Sequence, residues 1–304
     1  MTASASPDGS WLISDSDRCI AFTLPGRNAR GRLVRLGPVL DAILSNHGYP
    51  APIAALLAEA LTLTALLGST LKDAGGQLTL QAQARGGIID LLVCDYQAGS
   101  VRGYVRHDAQ GDTALPDDLD LKTAFGEGYL AITFDQAASG ERYQGIVPLE
   151  GASLAEAAER YFSQSEQVPS LIRIAVADLG AAGHVAGGML LQHLPEGEVG
   201  RERLHVRQGH PDWEHVLTLG ATVTIDELTD AALPLPDLLW RLFNEDEIRV
   251  TEPQPLARGC RCTINHIRDV LSRFPEGERE EMRDDNGAII VDCAFCARHF
   301  QIDL

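Results

Sequence analysis

Alternating polar and apolar positions recur in short runs through about the first two hundred residues of the chain. Such alternation puts every second side chain on one face, which is typical of half-buried antiparallel strands. Glycines at Gly86, Gly87 and Gly99 supply turn signals between some of these runs. The pattern predicts strands at residues 19–23, 32–36, 77–84, 88–94, 101–106, 129–134, 143–148, 171–177 and 185–194.

Helical spacing of apolar residues interrupts the strands at three places. Residues 38–46 and 52–71 form two predicted helices. A third begins at Ser153, because Ser153 and Glu156 have the spacing of a capping box and the apolar residues that follow share one helical face. Strands followed by grouped helices favour an α+β fold over alternating βαβ units. We therefore expect an N-terminal domain with a mixed or antiparallel sheet and a buried helix.

The long apolar stretch at residues 51–71 is also about long enough to span a membrane. Glu59 lies in its middle, its flanks carry little positive charge, and no second run of this kind follows. A helix buried in the core of a folded domain is the better interpretation.

Residues 196–250 differ in character from the region before them. They are rich in charge and are interrupted by glycine and proline, which limits helices to short lengths. Isolated short helices are marginal in water, so the pattern predicts short helices that dock on another part of the protein; an ordinary helical connector is the alternative. We expect the N-terminal domain to cover the apolar residues of this segment, among them Trp213, Leu239, Trp240 and Phe243.

Composition and charge narrow the classes of function. Of the 304 residues, 45% are hydrophobic and 22% are charged, an ordinary globular balance, and the length suits two or three structural units. The formal net charge of −18 repels phosphate backbones and anionic lipid, so we expect neither nucleic acid nor membrane as a partner. Residues 1–10 are small and polar, which predicts a disordered terminus without a signal peptide, and a cytoplasmic location.

Four of the six cysteines lie near the end of the chain. Cys260 and Cys262 form a C-x-C pair, Cys293 and Cys296 form a C-x-x-C pair, and thirty residues separate the pairs. Two close thiol pairs joined by a loop are the usual arrangement of a tetrahedral zinc site. A module of about 45 residues buries too little apolar surface to be stable alone, whereas zinc contributes on the order of 10–16 kcal/mol to small zinc modules. The spacing thus predicts one zinc ion per chain, bound by these four thiolates.

Other uses of paired cysteines fit less well. A secreted disulfide framework needs an export signal, and a thioredoxin-like enzyme places its C-x-x-C at a helix N-terminus, whereas residues 299–304 have a strand pattern. A zinc deaminase needs H-x-E and P-C-x-x-C motifs, which the sequence lacks. A purely structural zinc ribbon stays open on spacing alone. His266 and His299 could each replace a ligand, but four thiolates already complete the tetrahedron; Cys19 and Cys94 lie in apolar strands and have no predicted function.

The motifs around these cysteines resemble the heat shock protein 33 family, the redox-regulated holdase chaperones of bacteria. The resemblance is most specific at EPQPLARGCRC, residues 252–262, together with the later C-x-x-C. It extends over nearly the whole chain through LWRLFNEDEIRV at 239–250, the stretch at 143–170, AGGMLLQHLP at 186–195 and ARGRLVRL at 29–36.

The resemblance implies a protein of three parts: a client-binding α+β domain at residues 11–197, a metastable helical linker at 198–253 that rests on it, and a zinc-binding redox-switch module at 254–304. It implies a cytoplasmic, stress-related holdase that is not an enzyme, works without ATP and is inactive while reduced and zinc-bound.

The resemblance also selects one of the three cysteine pairings that the spacing permits. Oxidation would join Cys260 to Cys262 and Cys293 to Cys296, release zinc and unfold the linker. Unfolded proteins are then the expected partners, and the oxidised form is expected as a homodimer. A redox-indifferent structural zinc protein, acting as an assembly or regulatory adaptor, is the competing hypothesis.

Overall fold

The computed structural model describes residues 16–71, 75–108, 119–194, 209–284 and 287–302. The predicted disordered terminus at residues 1–10 and the predicted start of the linker at residue 198 lie outside this part of the chain. The described residues form a core region (16–194), a connecting segment (209–258) and a C-terminal module (259–302).

The first of two large sheets is antiparallel and joins both ends of the core region. Its strands are, in spatial order, β10 (Arg249–Val250), β1 (Arg18–Leu24), β2 (Ala29–Leu36), β9 (His184–His193) and β8 (Ser170–Asp178), with β11 (Gln254–Pro255) also paired to β1. Phe22 of β1 lies opposite Gly31 of β2, where an added Cβ would lie 2.2 Å from the Phe22 ring. The register therefore requires a glycine at this point.

The second sheet contains the middle of the core region. Its strands are, in spatial order, β12 (Ala257–Arg258), β5 (Ser100–His107), β4 (Ile89–Gln97), β3 (Gln77–Gly86), β6 (Gly126–Asp135) and β7 (Arg142–Pro148). The β12–β5 pair is parallel and the other pairs are antiparallel. Because β12 belongs to the connecting segment, that segment crosses from the first sheet to the second.

A single apolar helix, α2 (Ala51–Gly68), lies between the two sheets and contacts strands of both. A helix covered on all sides needs apolar residues all round, which explains its composition. It has the length and composition to cross a membrane, but 78% of that span is buried inside the protein. The other helices of the core region are α1 (Pro38–Leu44), α3 (Leu121–Phe125) and α4 (Leu154–Tyr161), with single helical turns at Pro25–Arg27, Phe162–Glu166 and Gly180–Ala182.

The elements predicted for the core region are confirmed, and so is the α+β class. All nine strands and all three helices are present, with ends shifted by up to three residues. The capping box is half formed: the Ser153 hydroxyl accepts from the Glu156 amide, but the Glu156 carboxylate accepts from the Ala152 amide instead of that of Ser153. Helix α3 was not predicted, because five residues are too short to show a helical period.

Three short helices of the connecting segment cover the outer face of the first sheet: α5 (Pro211–Gly220), α6 (Ile225–Thr229) and α7 (Leu235–Phe243). The rings of Phe22 and Phe243 meet there with centroids 6.3 Å apart. The first sheet is thus buried on both faces, by α2 on one side and by this segment on the other. The predicted docking is confirmed for most of the apolar residues, including Trp213, Val216, Leu228, Leu235, Leu238, Leu239, Leu242 and Phe243.

Trp240 contradicts the prediction that the N-terminal domain covers it. The Trp240 side chain is 65% exposed. The buried residues of α7 recur at helical spacing, from Leu235 through Leu238 and Leu239 to Phe243, and Trp240 falls on the opposite side of the helix. Ile225 at the start of α6 is exposed as well, at 67%.

The C-terminal module is small and has little apolar interior. It contains α8 (Ile264–Leu271), α9 (Glu276–Glu281) and a two-stranded antiparallel sheet of β13 (Ile289–Asp292) and β14 (His299–Ile302). Its hydrophobic cluster consists of four buried residues, Leu271, Ile289, Phe300 and Ile302, with four partly buried neighbours. The predicted strand after the last cysteine is confirmed by β14.

Candidate metal centre

Two loops of the C-terminal module bring four cysteines together. Cys260 and Cys262 lie between β12 and α8, and Cys293 and Cys296 lie in the turn that joins β13 to β14. The turn is closed by hydrogen bonds from the amides of Cys296 and Ala297 to the Cys293 carbonyl, at 3.3 Å and 2.8 Å. The predicted site residues therefore all meet at one point, although the pairs are far apart in sequence.

The four sulfur atoms form a compact group. Their Sγ atoms all lie within 4.8 Å of one another, and separations of 3.1 Å, 3.4 Å and 3.6 Å join Cys260 to Cys262, Cys262 to Cys296 and Cys260 to Cys293. In a tetrahedral zinc–thiolate site with Zn–S bonds of about 2.3 Å, the sulfurs stand about 3.8 Å apart. The cluster could hold a metal ion, and its donor set and spacing suit zinc.

The thiols of this cluster are free, and the pKa values of Cys260, Cys262 and Cys293 are shifted in different directions. Burial opposes ionisation of Cys260, but hydrogen bonds from the Cys262 amide and from neighbouring thiols outweigh it and lower the Cys260 pKa to about 7. Burial and hydrogen bonding to its neighbours raise the Cys262 pKa above its ordinary value, and burial is the main cause of the raised Cys293 pKa. The hydrogen bonds from neighbouring donors therefore favour the thiolate form of Cys260.

Neither nearby histidine belongs to the cluster. Within the described residues the metal-competent group consists of the four cysteines. The His299 ring pairs with the Asp292 carboxylate, and His266 is exposed at the start of α8. Cys19 and Cys94 are buried in the core region, and their pKa values are raised chiefly by burial.

Two of the three residues that stand between the paired cysteines, Arg261 and Phe295, attach the module to the core region. Arg261 donates to the Gln77 side chain at 2.7 Å and lies 3.5 Å from the Asp95 carboxylate. The Phe295 ring lies 3.9 Å beneath the Arg102 guanidinium and meets the Tyr104 ring edge-on, with ring centroids 4.9 Å apart. The cysteine spacing predicted none of these contacts.

A buried arginine fastens the connecting segment to the first sheet. Arg35 of β2 is fully buried and donates to the backbone carbonyls of Glu227, Leu228 and Leu233 at 3.1 Å, 3.1 Å and 2.7 Å. These carbonyls lie in and just after α6, where a helix leaves acceptors without an internal donor. The sequence signal for this contact is a charged residue inside an apolar strand, in the run Leu33 to Leu36.

A charged network fastens the same segment at the edge of the sheet. Arg27 donates to the carboxylates of Asp246 and Asp212 at 2.8 Å and 3.0 Å, and the His215 ring lies 2.9 Å from Asp246. Burial opposes ionisation of Asp246, but the hydrogen bonds from Arg27 and His215 outweigh it and hold the pKa of Asp246 below its ordinary value. Polar contacts therefore supplement the apolar docking of α5 and α7.

Comparisons with known proteins agree with one another. The sequence model of one family, described as Hsp33 protein, matches residues 17–303. A 33 kDa chaperonin of Caulobacter vibrioides is 41% identical over 290 residues, with 93% of each chain covered. A 33 kDa chaperonin of Cronobacter sakazakii is 39% identical over 292 residues, which cover 96% of this chain and 94% of the relative.

The fold also has a solved counterpart. The crystal structure of a 33 kDa chaperonin, a heat shock protein 33 homologue from Thermotoga maritima, matches with a TM-score of 0.76 at 24% identity and covers 94% of each chain. At that identity the likeness supports the arrangement of sheets and helices.

Proposed function

The chain belongs to the Hsp33 protein family and is a chaperone, and on that premise we propose that it is a redox-regulated holdase that works without ATP. In this proposal the reduced, metal-bound protein is inactive, and oxidation of the four clustered cysteines activates it. It would protect unfolding proteins from aggregation under oxidative stress in the cytoplasm, a reducing compartment that keeps the resting thiols reduced. The relatives carry the name chaperonin, which denotes no catalysed reaction.

The reduced state would hold one zinc ion through Cys260, Cys262, Cys293 and Cys296. Bound zinc would keep the sulfurs as thiolates and join the two loops of the module. The compact sulfur group and the four-residue apolar cluster support this assignment, because so small a core contributes little stability of its own. We accordingly assign residues 254–304 to the switch, residues 198–253 to the linker and residues 11–197 to the client-binding domain.

Oxidation by a peroxide would convert the thiols to disulfides. In each pair the two thiolate sulfurs lose two electrons and form one S–S bond, and hydrogen peroxide takes up those electrons and two protons from solvent to become two waters. The family resemblance favours pairing Cys260 with Cys262 and Cys293 with Cys296, and the 3.1 Å between the first two sulfurs supports the first pair. A disulfide sulfur is no longer a thiolate donor, so the module loses the ligands that stabilise it.

Unfolding of the module would also loosen the connecting segment, because the two are continuous along the sheet edges. β12 pairs with β5 immediately before Cys260, and β10 and β11 pair with β1. Undocking of α5, α6 and α7 would expose an apolar face of the first sheet that could bind unfolded chains. The residues so exposed would be Ile20, Phe22, Leu24, Leu33, Leu171, Met189 and Leu191.

The convergence of the four sulfurs in a module with almost no apolar core is the observation that carries this proposal. The test is aggregation of a thermally unfolding client, measured by light scattering with reduced zinc-loaded protein and with peroxide-oxidised protein. We expect strong suppression only by the oxidised form, without ATP. Equal suppression by both forms would instead support the redox-indifferent zinc protein. Sedimentation of the two forms tests the further proposal that the oxidised protein is a homodimer.

A further inference from the structure

The patch that receives Phe295 on the second sheet has the features of a binding site. We call it the Phe295 site; it consists of Arg102, Tyr104 and His47. The Arg102 guanidinium covers the face of the Phe295 ring, and the Tyr104 ring meets it edge-on. The His47 ring nitrogen lies 3.4 Å from the Phe295 carbonyl oxygen. The site therefore contacts both an aromatic side chain and the backbone of the same residue.

The Phe295 site is held in shape mainly by the core region; the C-terminal module adds Arg261, which lies 3.5 Å from the Asp95 carboxylate. The Asp95 carboxylate, which is 3% exposed, accepts two hydrogen bonds from Arg102 at 2.9 Å and 2.6 Å and one from Thr79 at 2.8 Å. The His47 ring stacks on Tyr49, with centroids 5.0 Å apart, and the Tyr49 hydroxyl exchanges hydrogen bonds with the backbone of Val105. Since all of these hydrogen bonds and the ring stack are made within the core region, they keep the shape of the site when the module leaves.

The occupant of the site depends on the cysteines. Phe295 stands between Cys293 and Cys296, and the turn that presents it is the turn that closes the sulfur cluster. Under the proposed function, disulfide formation within this pair would change the turn, and loss of the ligand set would release the module. Oxidation would therefore empty the Phe295 site.

We propose that the Phe295 site is a client-binding site, filled by Phe295 in the reduced protein and by an aromatic side chain of an unfolded client after oxidation. This inference rests on the proposed function and locates one contact surface for the client. Unfolded chains expose the aromatic residues that folded proteins bury, and such a residue offers the same ring and carbonyl as Phe295. The C-terminal module thus occupies the surface on which the client binds.

The first arm of the test uses oxidised full-length protein and a fluorescently labelled, reduced and carboxymethylated α-lactalbumin as a permanently unfolded probe. Binding is measured by fluorescence anisotropy. We expect Tyr104→Ala and Arg102→Lys to weaken binding roughly three- to tenfold, the range of aromatic and cation–π contacts. Tyr129→Ala is the matched control, since Tyr129 is a 38% exposed tyrosine on β6 of the same sheet, and it should bind like the unmodified protein.

The second arm uses reduced, zinc-loaded protein. Phe295→Ala should bind the probe at least threefold more tightly than the unmodified protein, with zinc content unchanged. Phe274→Ala, which changes a 38% exposed phenylalanine of the same module, should bind the probe no more tightly than the unmodified protein. If Phe295→Ala loses zinc, the Tyr104 arm decides alone.

The inference would be overturned if the oxidised Tyr104→Ala and Arg102→Lys variants bound the probe with the same affinity as the oxidised unmodified protein. It would also be overturned by a zinc-loaded Phe295→Ala variant that binds no better than the reduced unmodified protein. Failure of the oxidised unmodified protein to bind the probe at all would instead contradict the proposed holdase function, so the two failures are distinguishable.

Discussion

The core region and the C-terminal module are stabilised in opposite ways. In the core region a helix lies between two sheets, and apolar burial is spread over strands from both ends of that region. In the module the hydrophobic cluster consists of four buried residues, and four cysteine sulfur atoms bring two loops together. Under the proposed function, an oxidant that reacts with thiols would remove the main support of the module and leave the support of the core region unchanged. Sensitivity to oxidants would then be confined to the part that can unfold without loss of the whole protein.

The connecting segment has an intermediate character. Its helices are ten, five and nine residues long, too short to be stable alone, yet they cover one face of a sheet. A segment of this kind opens at a lower free energy than the core. The comparison thus predicts that the core region is the most stable part, that the connecting segment is less stable, and that the metal-free module is the least stable.

The largest expected effect is loss of the module when one ligand is removed. Cys293→Ser should abolish tight zinc binding and unfold the module, because zinc contributes on the order of 10 kcal/mol to modules of this size. Metal analysis and amide exchange in β13 and β14 measure it. Cys94→Ala is the control, since this thiol lies in the core region and its loss should leave zinc bound. Wild-type zinc affinity in Cys293→Ser would contradict the ligand assignment.

The second effect concerns Arg35. Arg35→Met leaves three backbone carbonyls without a charged donor, which should destabilise docking of the connecting segment by roughly 3–5 kcal/mol. Hydrogen exchange in α6 and α7 should increase in the reduced protein while zinc stays bound, and some chaperone activity should appear without oxidant. Arg30→Met is the matched control, because Arg30 of the same strand bonds to Gln192 within the core region. Unchanged protection in Arg35→Met would remove this arginine from the docking mechanism.

The third effect tests the core region through pH. Burial raises the pKa of Glu59 to about 7, against hydrogen bonds from the amides of Ala155 and Leu154. Between its ordinary value of 4.5 and about 7, the folded protein keeps a proton that the unfolded chain has released, so stability falls as pH rises through this window. This difference in the pKa of Glu59 between the folded and unfolded states corresponds to a loss of at most about 3 kcal/mol of folding stability. Partial contact of the carboxyl group with water reduces that loss to roughly 2 kcal/mol.

Glu59→Gln stays neutral and should lack this loss of stability. Urea unfolding of both proteins from about pH 5 to pH 8, followed by circular dichroism, should show that the free energy of unfolding of the variant rises relative to that of the wild type as pH rises. A constant difference between the two free energies across this pH window would mean that Glu59 titrates as in the unfolded chain.

The smallest effect is expected at Trp240. Because its side chain is exposed on the outer side of α7, Trp240→Gln should change the stability of docking by no more than about 0.5 kcal/mol. Phe243→Ala, at a fully buried position where the ring packs against Phe22 of the first sheet, should cost several times more, roughly 3 kcal/mol. Hydrogen exchange of reduced α7 in the two variants measures the contrast. Equal loosening by both would place Trp240 in the docked interface after all.

Local patterns in the sequence predicted most of the core region and the sulfur cluster. Alternation placed the strands, all-round apolarity identified α2 as a buried helix, and the spacing of two thiol pairs predicted the cluster. The exposure of Trp240 was also readable, since the apolar stripe of α7 passes through Leu238 and Leu239 and leaves Trp240 on the other side.

Contacts between distant parts of the chain were not predictable in this way. The carbonyls that accept from Arg35 lie more than 190 residues away, and the Arg102–Phe295 contact joins a strand of the core to a turn of the module. Neither leaves a periodic pattern in the sequence, because each depends on how separate elements pack. Only an unexpected charge within an apolar strand marked Arg35 as unusual.

Hydrogen exchange measured by mass spectrometry on reduced, zinc-loaded protein and on peroxide-oxidised, zinc-free protein tests the central claim most directly. We expect oxidation to remove protection from α5, α6 and α7 and from β13 and β14, while α2 and the strands β3 and β4 stay protected. Equal protection of α5, α6 and α7 in both states, with the disulfides formed and the zinc released, would contradict the coupling between the cysteine cluster and the connecting segment.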